Sequence, residues 1–310
     1  MEKCKKILID FLLPYRMVWK NVGSMVRFEI GYRLLSMLVF FPSLVGLERM
    51  LLFVNAKTNV AAYNAKSLAY NPLTWLVLAL MVVMVGVYAM IEQLAVSDAV
   101  HASYHGVRLT ARQMFENGVT LTVKYLRPKN FQILIYVLLI LPFVNALDVS
   151  SVTKFFHLPG FLMESVRQYW YYALIFAFGI GLAFYMLIRW FFCIHVMTAE
   201  DAPDFKTARR RSFFLTKGWY MLKLVVLDLI WLGLLFAIAA LLILLFMVLL
   251  YLVLLWANSG GTSFRSIVFS DTGRTVILTF SEFFLSWFIV PVLMTTYQGE
   301  YYRRLVRTGG

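Results

Sequence analysis

The stretch QYWYYALIFAFGIGLAFYMLIRWFFCIHVMTAEDAPDFKTARRRSFFLTKG, residues 168–218, decides the fold. From Gln168 to Met197 it carries only one Lys, Arg, Asp or Glu, Arg189, and so is long and apolar enough to cross a hydrocarbon layer of ~30 Å. Its last part, Asp204 to Gly218, is a short basic segment that cannot cross. A long apolar run followed by a basic amphipathic piece is the unit from which the rest of the chain is read.

That unit agrees with the whole composition. Of 310 residues, 61% are hydrophobic and 15% charged, and the mean hydropathy is +0.76. A soluble domain of this size has no use for repeated apolar runs of about 20 residues, so the expected class is an all-α integral membrane protein. Six apolar segments are read, at 28–54, 72–100, 131–148, 168–198, 218–256 and 275–299. The run from Val225 to Trp256 is kept as one helix, since it contains no Pro or turn cluster at which to reverse.

Lys and Arg set the orientation, because they collect in loops on the cytoplasmic side. Nineteen lie in the N-terminal arm, the second and fourth connectors and the tail, against six in the other loops. Both termini are therefore expected in the cytoplasm. The expected organisation is an interfacial segment at 1–27, a six-helix membrane domain at 28–300 and a basic tail at 301–310. The net charge of +13 points to anionic lipid, not nucleic acid. Cys4 and Cys193 imply no disulfide framework, and the N-terminus lacks a signal-peptide pattern.

Amphipathic helices are expected along the membrane surface. Ile7 to Trp19 mixes apolar and basic residues, with Pro14 expected to kink or divide it. Leu109 to Tyr125 has Thr110 as an N-cap, and Asp204 is placed to cap the basic segment after it. Leu109-Thr110-Ala111-Arg112 and Lys206-Thr207-Ala208-Arg209 resemble each other, a hint of an internal duplication. Expected contacts to anionic lipid are Arg112, Arg127, Lys129, Lys206, Arg209, Arg210, Arg211 and Lys217. Aromatic residues near segment ends, such as Trp75, Trp170, Trp219 and Trp256, read as an anchor belt.

Charges inside apolar segments are candidates for function, because burying them in lipid is costly. Counted from the cytoplasmic ends, Glu92, Arg189 and Asp228 lie at similar depths, so the three are expected to meet as an ion-pair cluster or a ligand site. Glu29 and Arg33, one turn apart, read as a local pair. His101 and His105 have the spacing of a two-histidine metal site but lack the glutamate of a metalloprotease helix, and solvated histidines are the simpler reading. No nucleophile elbow, phosphate loop or dinucleotide fingerprint is present. No catalytic residue and no metal is expected in this chain.

Three further stretches carry a resemblance: FEIGYRLL at 28–35, RPKNFQILIYVLLILP at 127–142 and FKTARRRSFFLTKGWYMLKL at 205–224. From Phe28 to about Leu224 the chain resembles the membrane domain that precedes the catalytic barrel of membrane-bound bacterial glycerophosphodiester phosphodiesterases. The resemblance implies a bacterial plasma membrane, a downstream barrel as partner and glycerophosphodiester hydrolysis to glycerol 3-phosphate and an alcohol. The barrel's His-Arg-Gly entry, acidic metal ligands and catalytic histidine have no counterpart here, and His105-Gly106 does not fit them. A divalent metal is implied only for that absent domain. Two other readings stay open: a transporter or permease for a small phosphorylated solute, and a lipid-binding membrane scaffold.

Overall fold

A computed structural model describes residues 2–55, 70–127, 130, 132, 133, 136, 170–200, 202–219, scattered positions from 222 to 252, 292 and 295–307. The elements among them are helical: α1 (Glu2–Leu35), a π turn (Ser36–Phe40), α2 (Phe41–Val54), α3 (Pro72–Tyr104), α4 (Ala111–Tyr125), α5 (Trp170–Arg189), α6 (Cys193–Ala199), α7 (Phe205–Leu215) and α8 (Thr295–Arg307). Among the described residues three stretches are long and apolar enough to cross a membrane, Tyr15–Val54, Pro72–Tyr104 and Ala177–Ala199. The expected segments at 131–148 and 275–299 lie almost wholly outside the described residues. Each described position from Leu222 to Leu252 is helical.

Pro14 does not divide the first helix, which runs unbroken from Glu2 to Leu35. A proline inside a helix removes one backbone donor and crowds the carbonyl four residues back, and the rest of the ladder holds. Pro42 acts differently. It cannot donate to Leu38, and just before it the chain widens into the π turn, in which the Phe41 N–H reaches the Ser36 carbonyl.

Helix α3 starts at Asn71, whose side chain accepts from the Leu73 N–H at 3.0 Å, with Pro72 in the first position. Asn55, at the end of α2, donates to Thr74 Oγ1 at 2.8 Å and ties the two helices at that end. At its other end α3 closes on Gly106, with φ +75°, while Val107 N–H bonds the Ala102 carbonyl at 2.9 Å. A left-handed residue at this place favours glycine.

Two larger clusters of buried residues lie at the end of the molecule where the basic connectors are, and smaller ones, Phe40 with Leu44 and Val85 and Leu51 with Val77, pair the π turn and α2 with α3 further along. Met90, Leu94, Tyr125, Trp190, Phe192, Phe205 and Tyr302 bury together, joining α3, α4, α6, α7 and α8. Beside them Met25, Phe28, Tyr32, Ala99, Val100 and Met114 join α1, α3 and α4. Away from this end the long helices expose large apolar side chains, among them Phe53, Trp75 and Phe178. Such a surface suits lipid.

Candidate functional site

Three helices converge on one histidine pair. His101, in the last turn of α3, and His195, in α6, are buried with Nε2 and Nδ1 3.2 Å apart. Ser97 Oγ lies 3.2 Å from the same Nδ1 and 2.8 Å from Thr198 Oγ1. Helix α8 closes the group: the Tyr302 ring stacks on His195 with centroids 6.0 Å apart. Gly299 makes that approach feasible, since a Cβ there would stand 2.9 Å from Val100 Cγ1. Tyr104 donates to the Thr296 carbonyl at 3.0 Å.

The outer edge of this group is charged. Tyr302 donates its hydroxyl to Glu200 Oε1 at 2.5 Å, and Arg211 Nε lies 3.4 Å from that oxygen. Burial, reinforced by the bond to Glu200, holds the Tyr302 phenol well above its ordinary value, so it remains a donor. This arrangement locks three helices together through shared hydrogen bonds. His105 is exposed, as a solvated histidine would be, whereas His101 is buried against that expectation, and no group of three metal-ligating side chains occurs among the described residues.

Glu92 does not meet Arg189. It receives Arg33 Nη2 at 2.5 Å, and Arg33 Nε lies 3.9 Å from Glu29 Oε2, so one guanidinium from α1 faces two buried carboxylates. Tyr32 donates to the Tyr88 carbonyl at 2.7 Å beside it, and the two rings stack with centroids 4.8 Å apart. Depth counting says nothing of direction around each helix axis. Arg33 enters the first apolar segment near the height of Glu92, which was the signal available. Arg189 instead donates to the Thr216 carbonyl and lies over the Phe213 ring at 4.4 Å. Asp228 lies outside the described residues.

The basic connector residues divide into free-facing and engaged ones. In α7, Lys206 and Arg210 are exposed, as is Lys217 just beyond it. Arg209 donates to Gln132 Oε1 at 2.9 Å, and Arg211 is held by Glu200. In α4, Arg112 pairs with Glu116 at 2.7 Å, and Arg127 beyond it is exposed. Lys129 lies outside the described residues. Both helices are fixed at their starts. Thr110 and Gln113 form a reciprocal capping box, and Asp204 accepts from the Thr207 N–H at 2.7 Å, which holds its carboxyl below the usual range.

Among known families, one described as the membrane domain of glycerophosphoryl diester phosphodiesterase matches residues 15–307. No curated protein and no solved structure matches the chain.

Proposed function

The chain belongs to the family of glycerophosphoryl diester phosphodiesterase membrane domains, and we propose that it anchors such a hydrolase at the inner face of a bacterial plasma membrane. Six membrane-spanning helices with both termini cytoplasmic, and α4 and α7 lying at the interface, form the platform in this reading. Hydrolysis of glycerophosphodiesters belongs to a separate barrel domain, which supplies the divalent metal chemistry.

The observation that carries the proposal is the rigid mounting of a basic helix. Ser212 Oγ donates to the Arg189 carbonyl at 2.8 Å and accepts from the Phe192 N–H at 3.2 Å, fixing the inner face of α7 to the helices beneath it. Lys206 and Arg210 then face outward at defined positions. Each such cation near an anionic surface contributes about 1 kcal/mol.

The test compares glycerophosphodiester hydrolysis in membrane and soluble fractions from cells with and without this chain. Loss of the chain is expected to move activity from the membrane to the soluble fraction. Unchanged membrane activity overturns the proposal.

Transport is favoured by one observation: the Glu29 carboxylate is buried in a long helix with no hydrogen-bond partner among the described residues. Uptake of a labelled glycerophosphodiester into proteoliposomes tests it. Flux no greater than that of empty vesicles removes this reading.

A further inference from the structure

The two connector helices agree at their caps and at three buried positions when the chain is shifted by 94 residues. Their N-caps, Thr110 and Asp204, coincide. Three buried positions coincide as well, Met114, Gly118 and Thr122 falling on Ala208, Ser212 and Thr216, whereas buried Tyr125 falls on exposed Trp219. The contacts beneath coincide as well. Gly118 packs against α3 so closely that a Cβ would stand 2.9 Å from Ala95, and Ser212 bonds the carbonyl of Arg189, the residue 94 beyond Ala95.

The same shift carries His101 onto His195, and these two touch. Equivalent residues of two like-directed units can meet only near the axis that relates the units. The triplets Thr110-Ala111-Arg112 and Thr207-Ala208-Arg209 do not superpose, because Thr110 is a cap and Thr207 is the third residue of its helix.

On this shared scaffold the outward face differs. At the first pair of equivalent positions, Arg112 and Glu116 neutralise each other, with side chains 88% and 54% exposed. Their counterparts are Lys206 and Arg210, two cations one helical turn apart, and the nearby Asp204 carboxylate leaves this group one positive charge in excess. Like charges at that spacing repel, and an external anion between them relieves the repulsion.

We infer that α3–α4 and the α5–α7 segment are two copies of one unit about an axis between His101 and His195, and that the second copy alone carries an anionic phospholipid headgroup site, on Lys206 and Arg210. The inference rests on the anchoring reading above and narrows it to one helix. An anionic phosphodiester is the ligand class, and the lipid-embedded setting of the helices beneath commits it to a membrane headgroup.

The test counts phosphatidylglycerol and phosphatidylcholine retained by the purified full chain in detergent, by native mass spectrometry. Arg210→Gln is expected to lower phosphatidylglycerol retention about fivefold, the effect of one surface cation. Glu116→Arg, which gives the first copy the charge of the second, is expected to raise retention about twofold, the effect of a second equal site. Both side chains are exposed, so an unchanged elution volume and helical content accompany these effects.

Wild-type retention in either variant overturns the inference while leaving the anchoring reading in place, provided the unmodified chain prefers phosphatidylglycerol. No preference in the unmodified chain overturns the headgroup site and its lipid contact in the anchoring reading together. Displacement by millimolar inorganic phosphate with equal affinity assigns the site to free phosphate and overturns the lipid commitment.

Discussion

Helix α4 lies against α3 through the bare backbone at Gly118, whereas α7 is fastened to the end of α5 and the approach to α6 through the hydroxyl of Ser212. The inner faces of the two helices are alike and the means of attachment are not. One junction depends on the absence of a side chain, the other on two hydrogen bonds from a small one. A further difference lies deeper: Glu92 in α3 receives Arg33 from α1, and the position 94 residues on is Met186, which has no charge to match. The first region is tied to the N-terminal helix by ions, the second, among the described residues, is not, and α8 touches both.

The largest expected effect tests that tie. Arg33→Met leaves Glu92 buried without its cation and should lower stability by about 3–5 kcal/mol, read as thermal unfolding in detergent. Adding Glu92→Met, which makes the first region resemble the second, should recover much of the loss. No recovery would show that the pair is not the element that distinguishes the regions.

Gly118→Leu comes next. Its side chain would drive into the Ile91 carbonyl, 2.7 Å from the first added carbon, at a cost of about 3 kcal/mol. Ser212→Ala should cost about 2 kcal/mol, by orphaning the Phe192 N–H and removing a donor from Arg189. If the two junctions respond alike to Gly or Ala at both positions, the contrast between them fails.

The caps give the smallest effect. Thr110→Ala and Asp204→Ala should each cost about 1 kcal/mol. They part under acid. The folded Asp204 carboxyl lies below its ordinary value of 3.8, so its contribution is complete above that pH and disappears as the pH falls through the depressed folded value. Stability of the Asp204→Ala variant should therefore lose its difference from the parent in acid, whereas that of Thr110→Ala keeps it. Circular dichroism across the acid range measures this.

Much of the framework was legible. Apolar length identified the long helices, and Thr110 and Asp204 were identified as caps from residue type and position, because capping is a local interaction. The duplication was visible only out of register. The identical triplets stand at a shift of 97, whereas burial and contact match at 94, where few side chains are identical. Burial on a helix is a property of a face, and Met114 with Ala208 or Gly118 with Ser212 satisfy the same face with different residues. The His101–His195 contact was not legible for a related reason: it depends on how two helices are turned toward each other, and no local pattern records that. Arg189 has the type and setting of a charge that needs a carboxylate, but a backbone carbonyl and an aromatic face receive it.

The π turn at Ser36–Phe40 sets the phase of the first long helix. Residues Phe28, Tyr32, Ser36, Phe40 and Leu44 are all buried, a spacing of four throughout. In an ordinary α-helix each step of four turns about 40° past a full circle, so over this length the stripe would wander nearly halfway round to the lipid. Winding more residues into one turn takes back part of that drift, as a leap day resets a calendar. Shortening the turn by one residue would swing Leu44 and Leu51 away from α3 while leaving the composition and hydropathy of the helix almost untouched.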